Sequence, residues 1–515
     1  SYSLSHAQTR NILMKPFHFI YIFFGIFILS SPLTHGQIIE NQRLEIPLSE
    51  QYIQEFDVLP LDESGLLLAN IRTDHYGRNT QVQFTKLDTV FRIQWSKLFT
   101  PPILYDLKKT YLQKKQALWQ VYRKVDSQEI LLLRLDLETH DMVFLETKLL
   151  TRMDIEHFSV VQNKVLLSGT YNDRPVVELI TIFDKNAKIL PDLYANNYRI
   201  SALEVNEDTG TTFVLLRDER RCTFLLKSYD YEGKLIDSKQ IGEDKKVPIT
   251  GKLIVLPDDR KLIVGNYSER CTSYSVGFYL HDLSENKTNY VDFTHLSNFF
   301  SYLPEKKQQR IKQRIDTKKE KGIDVKIRHR ILVHDIIQQG NEWVMLAEVY
   351  YPEYKTPNGY GVQFVKTYRV GKEYYNNFKY SHAIICGFTA DGKLLWNNSV
   401  GLGNMESNEL SVKVQATKTA TEGLLVAYPK NKSIQTLLLN KEHTWENLTS
   451  IETNQETTKG RVIDEFQVDL TSWYTNNFIT YGIITVRNPE NFTVKEYYYL
   501  HRLTYTPDKA AIVNP

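Results

Sequence analysis

From about residue 51 onward, apolar and polar positions follow one rhythm: an apolar run, a polar turn and another apolar run, four times over before the pattern restarts. Short runs rich in aromatic and β-branched residues, bounded by turn signals at regular spacing, predict antiparallel strands. Four strands per ~40–50 residues is the period of a propeller blade. Three copies show it most clearly, at 155–161, 164–171, 176–184 and from 189; at 200–206, 211–217, 222–231 and 235–241; and at 249–256, 261–267, 275–283 and 288–293. The turns Phe183–Ile189, Tyr229–Leu235 and Phe388–Leu394 are alike, with Asp and Gly supplying the backbone conformations a tight hairpin needs.

The units fall at 51–99, 103–148, 154–195, 199–241, 249–293, 331–400 and 410–455. An eighth has only three good strands, 463–470, 478–486 and 497–505, while 43–47 is a strand without a unit. Pairing that orphan with the eighth unit closes the ring and removes two exposed sheet edges. The pattern therefore predicts an all-β fold, a propeller of four-stranded blades closed by the N-terminal strand, with eight blades favoured over seven.

Two stretches interrupt the rhythm. Residues 294–330 carry Pro304 and Glu305 at a helix start and Ile311 and Ile315 on one face, and 305–330 hold 11 Lys/Arg against 4 Asp/Glu. Residues 352–380 lie between the second and third strands of the sixth unit and are rich in Tyr, Gly and Asn. In an up-and-down blade, the link to the next blade and the link between second and third strands leave by the same face. Both insertions are therefore expected on one rim, where loops on a rigid scaffold bind partners.

The 32 Tyr and 24 Phe reinforce the strand reading, and 42% hydrophobic with 24% charged residues is a globular composition. Net charge is +2; the first 36 residues carry Arg10 and Lys15 and no acid, leaving 61 of each sign in the remainder. Neutrality excludes a global attraction to nucleic acid, so no nucleic-acid partner is expected. Met14-Lys15, the apolar run 17–29 and small Gly36 before Gln37 describe a secretory signal peptide, 13 apolar residues being short of the ~20 a membrane span needs. The chain thus divides into 1–36 and a propeller domain, 37–515, with no further membrane segment, destined for the periplasm, the cell surface or the medium.

The three cysteines form neither a disulfide framework nor a metal cluster. Cys386 lies in an apolar run and reads as core. Cys222 and Cys271 are 49 residues apart, about one blade, in matching Glu-Arg contexts on equivalent hairpins. They read either as a disulfide between blades in an oxidising compartment or as two separate thiols. No metal or cofactor is predicted.

His334-Asp335 on an innermost strand, with Glu348 on the next, offers a base and carboxylates near the central channel. The alternative is a polar pair stitching two blades together. Neighbours on a strand face opposite ways, so His334 and Asp335 cannot share one ligand directly. Tyr350, Tyr351, Tyr354, Tyr360, Tyr374 and Tyr375 are candidates for stacking on a sugar or gripping a peptide, or for packing their own loop. No nucleophile-elbow, zinc-protease, phosphate-loop or EF-hand pattern occurs.

The string Asp391-Gly392-Lys393-Leu394-Leu395-Trp396 resembles hairpins of quinoprotein-type propellers. Taken with the break before Gln37, His334-Asp335-Ile336 and Ala347-Glu348-Val349-Tyr350-Tyr351-Pro352, the chain resembles an uncharacterised exported family of β-propeller-like proteins from Bacteroidota. That resemblance implies export and fold, and no activity. The reading reached is an exported binding or scaffolding propeller that engages a protein or glycan of the cell envelope through its insertion-bearing face. The alternatives are a glycan hydrolase or lyase with acidic and His residues near the channel, and a quinoprotein-like cofactor propeller.

Overall fold

A computed structural model describes residues 37–506 apart from 244, 257–259, 355–367, 371–372, 421–422, 441, 449, 453–456 and 458. Eight antiparallel sheets of four main strands succeed one another along the chain, so the ring has the eight blades expected. First strands of neighbouring blades meet, as Asp154–Val161 meets both Tyr105–Gln113 and Tyr198–Asn206, which places these strands around the axis.

The second strand of each blade is apolar on both faces because blades lie on both sides of it. In Leu66–Asp74, Leu67 and Ala69 pack with Leu118, Leu131 and Leu133 of blade 2, while Leu66 and Leu68 pack with Ile479, Ile483 and Leu500 of blade 8. The core is thus a series of inter-blade seams, and this is why the second-strand runs read as continuous rather than alternating.

The ring closes by pairing the N-terminal strand Gln37–Pro47 with Val494–Thr506, Arg43 facing His501 and Pro47 facing Tyr497. Blade 8 therefore takes three strands from the end of the chain and its outermost from the beginning. No edge of that sheet is left for intermolecular pairing on the C-terminal strand.

Near the axis the strands are irregular. Innermost strands bulge in blades 2, 3, 4 and 8 and are broken in blades 5 and 6. Bulges kink and re-aim side chains where strands crowd. One expectation is corrected here: 331–337 is not one strand, because pairing stops after Arg330–Val333 and resumes at Ile337–Gln339, leaving His334 and Asp335 in the break. The Tyr-rich insertion is also shorter than expected. Strands Glu342–Glu353 and Asn377–Thr389 extend into it, so it spans 354–376.

The other interruption divides in three. Leu296 and Phe299 are buried in the seam between blades 5 and 6. Helix α1, Glu305–Glu320, starts just after Pro304 and contains no buried residue. Ile327 then returns to the same seam. No helix among the described residues is long and apolar enough to cross a membrane.

Candidate functional site

His334, Asp335 and Glu348 do not converge on one site. Glu348 is fully buried, and its Oε1 accepts the backbone N–H groups of Lys413 at 2.8 Å and Val414 at 2.7 Å. His334 Nε2 lies 2.9 Å from the same oxygen without a hydrogen bond between them. Glu348 thereby ties blade 6 to the chain entering blade 7. Buried Glu178 does the same at the entry to blade 3, accepting Leu150 N–H at 2.9 Å and Thr151 N–H at 2.8 Å. Asp335 points the other way; its side chain is 95% exposed and pairs with Lys252 of blade 5 at 2.5 Å.

The tyrosines also separate. Tyr350 is buried against Phe378 and Tyr380. Tyr351 and Tyr354 are 45% and 63% exposed. Tyr375 is half-buried beneath the guanidinium of Arg330. Tyr360 and the side chain of Tyr374 lie outside the described residues. The basic insertion instead packs on the two long strands of blade 6 that flank the Tyr-rich one. Tyr351 Oη is 3.3 Å from His329 Nδ1, and Tyr302 stacks on His382 with centroids 3.8 Å apart. Burial pushes His329 down to about 4, and burial followed by the nearby His329 pushes His382 down to about 3. Both are therefore neutral; His382 holds Tyr302 near the start of the basic insertion, and His329 docks the end of that insertion beside Tyr351.

This face carries two further features. Cys222 and Cys271 are joined in a disulfide between the hairpins of blades 4 and 5, with Cα atoms 5.6 Å apart. Helix α1 bears Lys306, Lys307, Arg310, Lys312, Arg314, Lys318 and Lys319 against Glu305, Asp316 and Glu320. It is moored at its base by Gln308 Nε2, which donates to the Leu303 carbonyl at 2.7 Å. Beyond it, Lys326 pairs with Asp292 of blade 5 at 2.8 Å.

Of the side chains expected near the channel, Asp335 stands there with companions that sequence reasoning did not name. Among the described residues, every blade has a charged or titratable side chain on or just beside its first strand: Asp57, Lys109, His157, Glu204, Lys252, Asp335, Lys413 and Asp469. Those on paired strands face the second strand, Asp57 opposite Ala69, Lys109 opposite Val121, His157 opposite Ser168, Glu204 opposite Phe213, Lys252 opposite Val264 and Asp469 opposite Tyr481. Their fields overlap: Glu204 is raised by burial and by Asp335 and pulled back by Lys252, and His157 is lowered by burial and by Lys109. Asp57 is held above the usual carboxylate range by burial and by Glu55. Asp469 is raised by burial against the pull of Lys413. The available signal was a charged residue recurring out of phase with the buried positions of each first strand.

On the opposite rim, Trp95, Trp119, Arg134 and His140 line an open cleft of about 680 Å³. The tryptophan of the Asp391–Trp396 hairpin is occupied in packing. Trp396 Nε1 donates to Glu342 at 2.8 Å and its ring stacks on His443.

The fold defines the protein as a β-propeller. Among solved structures it is similar to the Dos1 propeller, at 10% identity with a TM-score of 0.37, over 78% of this chain and 92% of that one. The polysaccharide lyase Uly1 matches at 9% identity and a TM-score of 0.36, over 77% and 89% of the two chains. A prolyl endopeptidase matches at 8% identity and a TM-score of 0.39 over 77% of this chain, which spans half of that enzyme. No family model matches the sequence, and no curated protein matches it. Likeness at this level concerns the propeller fold alone.

Proposed function

We propose that this chain is an exported binding propeller that holds an acidic protein or glycan of the cell envelope on the face bearing α1. One observation carries the reading: a sixteen-residue helix with seven basic and three acidic side chains buries none of them. A helix that packs so little contributes little to the core, whereas its field steers and orients an acidic partner. Exposed Tyr351 and Tyr354 on the same face add flat apolar surface beside that charge. Export is supported by the apolar run at 17–29 and by the Cys222–Cys271 bond, which suits an oxidising compartment.

The test is affinity capture from envelope extract in about 0.15 M salt, the regime in which surface charge is screened beyond ~8 Å. Two variants are compared with the parent: 305–321 replaced by a short Gly/Ser linker, and Lys306, Lys307 and Arg310 each changed to Glu. Phe299 and Ile327 stay in place, since both belong to the core. The expected result is one acidic partner captured by the parent and by neither variant. Equal capture by all three would remove the reading.

A further inference from the structure

The open cleft of about 680 Å³ lies on the rim opposite α1. It runs over the two hairpins of blade 2, from Trp95 on the outermost strand of blade 1 to Gln162 and Glu207 at the inner hairpins of blades 3 and 4. Its volume falls in the range of about 300–1,000 Å³ that small-molecule sites occupy. The two ends are built differently. At the outer end Trp95 and His140 form a half-buried aromatic wall, their ring centroids 4.8 Å apart. At the inner end buried Trp119 sets polar groups in place. Its Nε1 donates to Gln113 Oε1 at 2.8 Å, and the Arg134 guanidinium lies over its ring. Gln113 Nε2 in turn donates to Glu207 at 3.3 Å, and Arg134 pairs with Asp136 at 2.9 Å.

The bonding capacity left over selects the ligand. An amide has two N–H groups and two acceptor lone pairs, so Gln113 keeps one of each, and the Glu207 carboxylate keeps further lone pairs. Gln94, Gln116 and Gln162 bring three more amides to the lining. Charge, by contrast, is largely neutralised. Among the described residues four basic side chains line the cleft, and three are paired: Lys114 with Asp208 at 2.9 Å, Lys115 with Asp62, and Arg134 with Asp136. A polyanion would have to displace those carboxylates or sit beside them, and an apolar ligand would leave the amides without partners.

We infer that this cleft binds a neutral saccharide, with the face of one sugar against Trp95 and His140 and the hydroxyls of the next unit on Gln113, Glu207 and Arg134. A hydroxyl both donates and accepts, so vicinal hydroxyls match adjoining amide, carboxylate and guanidinium groups. The C–H face of a pyranose is apolar enough to lie on an aromatic ring. The site is separate from α1 and from whatever that helix engages, because the two occupy opposite rims.

Isothermal titration of the folded chain with cellohexaose, maltohexaose, mannohexaose and xylohexaose tests the inference. Hexagalacturonate, of equal length with a carboxylate on every ring, is the comparison. Saturable binding of at least one neutral hexasaccharide is expected, at least tenfold tighter than that of hexagalacturonate. Affinity should fall at least tenfold in Trp95→Ala and several-fold in each of His140→Ala and Glu207→Ala. Trp95 also packs on the seam between blades 1 and 2, whereas His140 and Glu207 sit on surface hairpins, so the latter two variants keep the test valid if the first unfolds. The chain lacking 305–321 should bind as the parent does, which separates this site from the reading of α1. No saturable binding of any of the four neutral sugars would overturn the site. So would equal or tighter binding of hexagalacturonate, unchanged affinity in both His140→Ala and Glu207→Ala, or loss of binding in the chain lacking 305–321.

Discussion

Trp473 Nε1 donates a 2.8 Å hydrogen bond to the carbonyl of Gly65, joining residues 408 apart in sequence. The bond crosses the seam where the last blade meets the first. Trp473 is 5% exposed and also stacks on Phe91 of blade 1. Gly65 is held at φ 108°, and a Cβ there would overlap the Leu87 carbonyl. Trp473→Phe should cost about 1–2 kcal/mol from the unpaired carbonyl. Trp473→Ala should cost about 3–5 kcal/mol because a cavity opens as well. Denaturant midpoints measured by fluorescence of the remaining tryptophans will read both.

Removing the closing strand should be worse than removing any one side chain. Without Gln37–Pro47 the strand Val494–Thr506 becomes an exposed, mostly apolar edge. Deletion of 37–47 is expected to lower the melting temperature and to produce higher-order species in size-exclusion chromatography. A monomer of unchanged melting temperature would show that closure does not stabilise the ring.

The Cys222–Cys271 bond closes 49 residues between neighbouring blades. Chain-entropy arguments give a stabilisation of about 4 kcal/mol for a loop of that size. Cys222→Ser with Cys271→Ser should lower stability by an amount of that order. Reductant should bring the parent to the same midpoint and leave the variant unmoved.

Acid should weaken the insertion-bearing face. His329 and His382 are lowered to about 4 and 3, chiefly by burial, from an ordinary value of 6.5. Folding therefore favours their neutral forms. The associated stability is complete above pH 6.5 and is lost as pH falls towards 4, where the unfolded chain binds protons that the folded one refuses. The loss is on the order of a few kcal/mol, at about 1.4 kcal/mol per unit of separation. Melting temperature against pH should be flat above 7 and fall between 6.5 and 4. His382→Asn should flatten part of that slope.

Glu348→Ala should destabilise by about 3 kcal/mol, because the buried N–H groups of Lys413 and Val414 lose their acceptor together. Glu348→Gln keeps an amide oxygen for Lys413 and Val414 and should recover much of that loss. Thermal denaturation of both variants at pH 7 distinguishes them. A binding or catalytic role for Glu348 would predict normal stability instead.

Much of the architecture was legible along the chain because a blade is a local object. Its strands are consecutive, its hairpins are short, and its second strand announces burial on both faces, as Leu66–Ala69 does. The helix at 305–320 was legible for the same reason, from Pro304 and the spacing of Ile311 and Ile315. Even closure showed, since a strand without a blade at one end matched a blade short of a strand at the other.

What the eye could not take from the chain was any feature assembled across blades. His334 and Glu348 looked like channel chemistry, yet the break after Val333 turns His334 into the seam, where Glu348 holds the entry to blade 7. Periodicity along a strand specifies which side chains turn from the core, so it determined the blades and their closure and favoured eight of them over seven. It carries no information about which distant strand stands opposite. That depends on how eight seams pack around an axis, and the packing alone decided which side chains meet across the blades.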